Sequence, residues 1–341
     1  MKPLIQFACW WLIAVSAAAA ARDSGAPQPY QPREPVAGVV RVWTHPHMQD
    51  TMRRWQAGFL RHHPQARIVA NFPGSDVAVA GLYTKAADVA LLGREITASE
   101  TQAFEWIFRY RPTRVEVMTG SLATPGKSAA LGLFVHKDNP LATLTLAQAD
   151  AIFGHERLRG LPAITIWGQL GVEGKWKDRP IRLYGYDAWS GSGRFFRHMV
   201  LNDSRNMNWD RLREFKARPG RDGKVQDAGR RIHAALAADR FGMAVSTLSS
   251  APAGTVPLAL AAEAGGAFVA ATKETLVARR YPLARSAVAL VHQAPGKAID
   301  PNVAEFLRYI LSREGQADVA ADAGYLPLAA ANVDAQLKHL E

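Results

Sequence analysis

Cysteine is almost absent from this chain: of its 341 residues only Cys9 carries a thiol. Cys9 lies within an N-terminal apolar run that reads as a leader, so the mature chain is expected to have none. That excludes disulfides, thiolate metal sites and a cysteine nucleophile together. Acidic residues are also in short supply, with 30 Asp and Glu against 41 Lys and Arg, for a formal charge of +11. Long apolar runs are missing beyond the leader, whose h-region (residues 7–15) is too short for a comfortable membrane span. Zinc-finger spacings and aromatic-studded RNA-binding motifs are lacking, which argues against a nucleic-acid partner. The serines do not form a Gly-x-Ser-x-Gly elbow, since Ala188 precedes Ser190 by two and Arg194 follows Ser192 by two.

The length that remains accommodates two lobes with separate cores. Lys2, the apolar run and the small residues at 16–21 read as a signal peptide over residues 1–21, implying export to a periplasm. Residues 22–37, rich in Pro and polar side chains, read as a flexible lead-in. From Val39 onward, strand-like runs (39–43, 67–71, 87–92) alternate with helical spacings (48–61, 77–85, 99–109). Further strands are expected at 131–136, 181–184, 241–245 and 287–292, with helices at 146–153 and 302–311. This alternation indicates an α/β fold with parallel or mixed sheets flanked by helices, in which ligands sit beyond the strand ends.

The most telling stretch is Asp187-Ala-Trp-Ser190-Gly191-Ser192-Gly193-Arg194. It links a strand to a helix marked by Phe195, Phe196, Met199 and Val200. A small, hydroxyl-rich turn there presents backbone N–H groups and two hydroxyls at the positive end of a helix dipole, a setting for an oxyanion. Other strand ends offer Thr44 to Met48, Gly74-Ser75 and Gly93-Arg94. His45-x-His47 has a spacing open to a metal, but without Cys or a clear acidic partner it reads instead as cleft-lining imidazoles. No metal and no cofactor is expected. His62-His63 reads as a dipole partner at a helix end, and Asp88 as a backbone-binding loop holder. Trp167 and Trp176 read as packing residues, and Trp189 as either packing or ligand stacking. Residues 205–231 hold Arg211, Arg213, Lys216, Arg218, Arg221, Lys224, Arg230 and Arg231. They read as a solvated basic surface, with a docking patch for acidic lipid or an acidic partner as the sharper alternative.

In order along the chain, several markers resemble the PstS-like phosphate-binding proteins of ABC transporters, a group of type II periplasmic binding proteins. They include Trp55 with Phe59, Gly74-Ser75, Ala87-Asp88-Val89 leading to Gly93-Arg94, and Asp138-Asn-Pro140 with Ala151-Ile-Phe-Gly154. Ser190-Gly191-Ser192 with Phe195-Phe196, Phe241-Gly242-Met243, Tyr281-Pro-Leu-Ala-Arg285 and Gly324-Tyr-Leu-Pro-Leu328 complete the series. The resemblance implies a two-lobed clamp with a cleft between the lobes. Lobe one would span 38–130 and 255–341, and lobe two 131–254. It further implies a monomer that captures inorganic phosphate or a related oxyanion and delivers it to an inner-membrane ABC permease. Ser75 falls on a family serine, and Ser190, Gly191 and Ser192 on the family's Ser-Gly-Thr. His45, His47 and Met48 replace a small first turn, and Gly185-Tyr186 stand where an arginine is common. Arg94 or Arg194 would then supply positive charge. Two alternatives remain: a sensing or scaffolding protein with a degenerate anion site, and a phosphoester hydrolase using Ser190 or Ser192 with His45 or His47.

Overall fold

Val89-Ala-Leu-Leu92, an unbroken apolar run, is what a strand covered on both faces requires. In the computed structural model, which describes residues 25–220 and 225–341, its side chains alternate accordingly. Val89 and Leu91 face one core, with Trp55, Phe59 and Phe306; Ala90 and Leu92 face another, with Ala78, Val79, Leu82 and Phe104. The leader lies outside the described residues, as do Arg221 and Lys224.

The first lobe opens with β1 (Val39–Trp43), α1 (Gln49–His62), β2 (Arg67–Asn71), α2 (Ser75–Tyr83), β3 (Val89–Leu92), α3 (Ala98–Phe108) and β4 (Thr113–Thr119). The second lobe holds β5 (Leu131–His136), β6 (Thr143–Thr145), α4 (Leu146–Phe153), β7 (Arg182–Tyr186) and α5 (Gly191–Val200). It continues through β8 (Leu212–Phe215), β9 (Arg218–Pro219), β10 (Val225–Gln226), α6 (Ala228–Ala237) and β11 (Gly242–Thr247). Its last elements are β12 (Thr255–Pro257), β13 (Ala259–Ala261) and α7 (Lys273–Val277). The chain then returns to the first lobe for β14 (Ser286–Val291), α8 (Pro301–Ile310), α9 (Arg313–Ala320) and α10 (Ala330–Leu337).

Each lobe is built on a mixed five-stranded sheet, ordered β2-β1-β3-β14-β4 in the first and β12-β5-β11-β7-β8 in the second. β1 runs parallel to β2 and β3, while β14 is antiparallel to β3 and β4. The expected fold class, α/β with two lobes, mixed sheets and flanking helices, is the one found. Local chemistry fixes the helix starts: Thr97 with Glu100 and Thr145 with Gln148 form capping boxes, and Asp300 caps a helix opened by Pro301.

Two expectations need correction. The second lobe does not end at residue 254. β12 pairs with β5, β13 with β6, and Leu276, Tyr281 and Leu283 pack into the second core, so the return to lobe one comes near residue 284. There the two crossing segments touch, with Gly120 N–H donating to the Arg285 carbonyl at 2.8 Å and Leu131 N–H to the Leu283 carbonyl at 3.3 Å.

The lead-in is also not free over its second half. Tyr30 and Val36 are buried in the first core, and the Tyr30 hydroxyl donates to Glu305 at 2.7 Å. His63 Nδ1 accepts from Val36 N–H at 3.2 Å, so its Nε2 carries the proton and donates to the Tyr30 oxygen at 2.6 Å. Burial pulls the His63 pKa down, with Glu305 opposing. His63 is thus a neutral link in a chain of hydrogen bonds and not a cationic dipole partner. One aromatic in a proline-rich stretch has no periodicity to announce it.

Candidate functional site

Between the lobes lies a cleft of about 1560 Å3. Strand-end turns of both lobes aim at it. At the end of β2, Gly74 adopts φ +100° and ψ 157°, a conformation that glycine reaches without strain. Its N–H donates to the Thr44 carbonyl at 3.1 Å, tying the turn to the end of β1. α2 then begins at Ser75, whose hydroxyl and leading N–H groups face the cleft with the positive end of the dipole.

From the second lobe, α5 starts on the Ser-Gly turn. Ser190 is spent on the turn itself: its Oγ donates to the Asp187 carbonyl at 2.7 Å and accepts from Gly193 N–H at 3.0 Å. Gly193 is the glycine the packing demands, since a Cβ there would lie 2.1 Å from the Asp187 oxygen. A Cβ on Gly191 would meet nothing within 4 Å, so that position faces open cleft. The Ser192 hydroxyl makes no hydrogen bond to any described residue and remains a donor in waiting. Arg194, one turn in, donates to the Trp189 carbonyl.

Arg94 is expected from the sequence, with Arg194 as the alternative, to supply positive charge to the cleft. Only 8% exposed, it is consumed by the protein: Glu100 at 2.6 and 2.9 Å, Asp76 at 2.9 Å, and the Ser75 and Glu95 carbonyls at 2.9 Å. Burial would depress its pKa, but the two carboxylates outweigh that and hold it above the usual value. Burial likewise pushes Glu100 upward, and the bonds from Arg94 and the Thr97 amide overcome it to hold Glu100 low. Arg94 therefore fixes the Ser75 turn. Its charge is already balanced.

The first loop divides. His45 lines the cleft and, as the cap of a short 3-10 turn, accepts from His47 N–H at 3.1 Å. Burial, then repulsion from His47, lowers its pKa against the pull of Asp76, so it sits there as a neutral ring. His47 stacks behind it at 4.7 Å, exposed, and is not among the residues lining the cleft. Met48 is core: fully buried, its sulfur accepts from the Thr44 hydroxyl at 3.0 Å. A bulky residue in a strand-end loop was open to either reading. Burial decides it.

Arg285 carries a signal that sequence reasoning used only as a family marker. It is 7% exposed, reaches Glu95 at 3.3 Å from one side and lies 5.0 Å over the Phe195 ring on the other. Its Nε–H is buried and has no partner among the described residues. It thus offers a guanidinium at the seam where the lobes meet. Tyr325, also on the cleft, is pushed up to about 12 by burial and stays a neutral O–H group.

Trp167 and Trp176 are buried packing residues, whereas Trp189 is 64% exposed with Arg197 5.0 Å over its ring. Asp88 accepts from the Arg41 N–H at 2.8 Å and from its guanidinium at 2.5 and 3.0 Å, so it anchors strand β1 by an ion pair and does not hold a loop as expected. Among the described residues no group of three or more His, Cys, Asp or Glu side chains is placed to hold a metal ion.

Two lobes on two crossing segments, with helix N-termini from both facing one cleft, define a solute-binding clamp. A family model for the PBP superfamily domain matches residues 17–314. The chain is 31% identical over 329 residues to the phosphate-binding protein PstS of Pseudomonas aeruginosa, covering 96% of this chain and 94% of that protein. It belongs to the PstS-like phosphate-binding proteins of the PBP superfamily, which are binding proteins of ABC transport and not enzymes. The fold matches PstS from Borrelia burgdorferi with a TM-score of 0.55, at 16% identity over 85% of this chain and 99% of that one. An ABC-type phosphate transport receptor from Vibrio cholerae matches with a TM-score of 0.52, at 16% identity over 84% and 99%. The hydrolase alternative falls with the family assignment.

Proposed function

We propose that this chain is an exported, monomeric solute-binding protein that captures inorganic phosphate in the interlobe cleft and delivers it to an inner-membrane ABC permease from the periplasm. The observation that carries this reading is the pair of opposed turns. Ser75 at the start of α2 and Ser192 at the start of α5 come from different lobes, line one cleft, and each bring a hydroxyl with helix N–H groups. A tetrahedral oxyanion between them bridges both lobes, and only the closed form satisfies all donors, so the ligand shifts the balance toward closure. Ser190 shapes the second turn, Gly191 leaves room for backbone approach, and Arg94 fixes the first turn. Arg285 supplies charge at the seam, with His45 and Arg194 at the edges. Asp76, held by Arg94 at 2.9 Å on an otherwise exposed side chain, is the acidic acceptor in the cleft. A carboxylate there accepts the proton of hydrogen phosphate and rejects sulfate, which has none to give.

Isothermal titration of the mature chain with phosphate and sulfate tests this. Phosphate should bind and sulfate should not. Ser192→Ala should lose about tenfold in phosphate affinity, the loss of one hydrogen bond to a charged group, with stability within about 0.5 kcal/mol of wild type. Unchanged affinity would remove the α5 turn from the site. Absence of heat with either anion would favour the sensing or scaffolding alternative.

A further inference from the structure

The cleft carries more cationic chemistry than one tetrahedral anion uses, and it is concentrated on one wall. Lys216, Arg230 and Arg231 line it beside Arg194, all from the second lobe. Asp187 pairs with Lys216 at 3.1 Å, and Asp227 caps α6 on the same wall. Yet among the described residues no carboxylate lies within ion-pair distance of the Arg194, Arg230 or Arg231 guanidinium.

These arginines also stand where helix electrostatics disfavours them. Arg230 and Arg231 are the third and fourth residues of α6, and Arg194 is the fourth of α5. Cations in a first turn oppose the macrodipole, and a local rule broken without compensation marks a functional position. The wall is built as well as charged. Arg231 donates to the Lys216 carbonyl at 2.8 Å and lies 5.3 Å over the Phe215 ring, so its guanidinium is held in place. The volume, about 1560 Å3, exceeds the roughly 300–1,000 Å3 of a pocket that buries a drug-sized ligand.

Resting on the proposed phosphate site, we infer that the second-lobe wall is a second anion subsite, so that the cleft takes condensed phosphates, diphosphate being the shortest. The first phosphoryl group sits on the Ser75 and Ser192 turns, and the second meets Arg230 and Arg231, with Lys216 held beside them by Asp187. Guanidinium forks match phosphoryl oxygens, and the α6 N-terminus adds the same sign of field.

Calorimetry at physiological salt, which screens the diffuse field of the surface, distinguishes the outcomes. Wild type should bind diphosphate about tenfold or more tighter than orthophosphate, the gain expected of added charge-assisted hydrogen bonds. Arg230→Ala/Arg231→Ala should lose diphosphate affinity far more than orthophosphate affinity, with a melting temperature no lower than wild type. Orthophosphate binding without a diphosphate preference, or a preference that survives in the double variant, overturns the subsite and leaves the phosphate reading standing. Diphosphate binding without orthophosphate binding supports the subsite and overturns the orthophosphate reading. If neither anion binds, both readings are overturned.

Discussion

The two walls of the cleft hold arginine in opposite ways. On the first lobe, Arg94 is buried and neutralised by Glu100 and Asp76, and Arg285 at the seam leans on Glu95. On the second lobe, Arg194, Arg230 and Arg231 line the same space with no carboxylate in ion-pair reach among the described residues. A guanidinium with its counter-ions adds little net charge to the cleft; Arg194 and Arg231 also hold backbone, at the Trp189 and Lys216 carbonyls, but with no acidic partner among the described residues they keep their charge there. The first wall is scaffold except for Arg285 at the seam, and the second carries the field.

Breaking each wall should therefore do different things. The largest effect is expected for Arg94→Met, which leaves the partly buried Glu100 carboxylate without its partner and frees the Ser75 carbonyl. Removing one partner of a buried pair costs about 3–5 kcal/mol, so denaturant unfolding at neutral pH should show a loss of that order. The sign with pH follows from Glu100, whose carboxyl is held low in the folded protein. Its contribution is complete above the unfolded value near 4.3 and is lost as pH falls through the folded value. Without Arg94, burial holds the variant's Glu100 above its ordinary value, so the gap should begin to narrow as pH falls through that raised value and continue until the wild-type carboxyl protonates. A gap constant with pH would mean that the pair contributes nothing as a pair.

At the other extreme, Arg231→Ala should leave stability unchanged or raise it by about 0.3–1 kcal/mol, because it removes a cation from the first turn of α6. A loss of more than about 1 kcal/mol in thermal unfolding would show that its packing on Phe215 outweighs the dipole, and the contrast between the walls would weaken.

Much of this was legible in the sequence where one physical rule acted alone. The strand 131–136 and the helix 146–153 match the sequence expectation to the residue, because apolar patterning there had no competitor. The basic stretch was not legible. In Leu212-Arg-Glu-Phe215 only the end residues are buried, and surrounding charge hid both β8 and α6. It read as a solvated surface, yet Lys216, Arg230 and Arg231 line the cleft. Among the residues that line the cleft, the two serine turns were readable because hydroxyls beside glycine at a strand end imply exposed N–H groups. The partners of Arg94 and Arg285 were not. Glu95 and Arg285 are 190 positions apart in sequence, and no spacing rule connects them. Met48 shows the reverse failure: proximity to the site in sequence said nothing about which way the side chain turned.

In the proposed mode of binding, a phosphate bridges the α2 and α5 turns and draws the lobes together. Small-angle scattering of the mature chain, with and without saturating phosphate, addresses it most directly. The radius of gyration should fall with phosphate and stay unchanged with sulfate at the same concentration. A scattering curve unaltered by phosphate that calorimetry shows to be bound would contradict it, because the anion would then sit on one lobe alone.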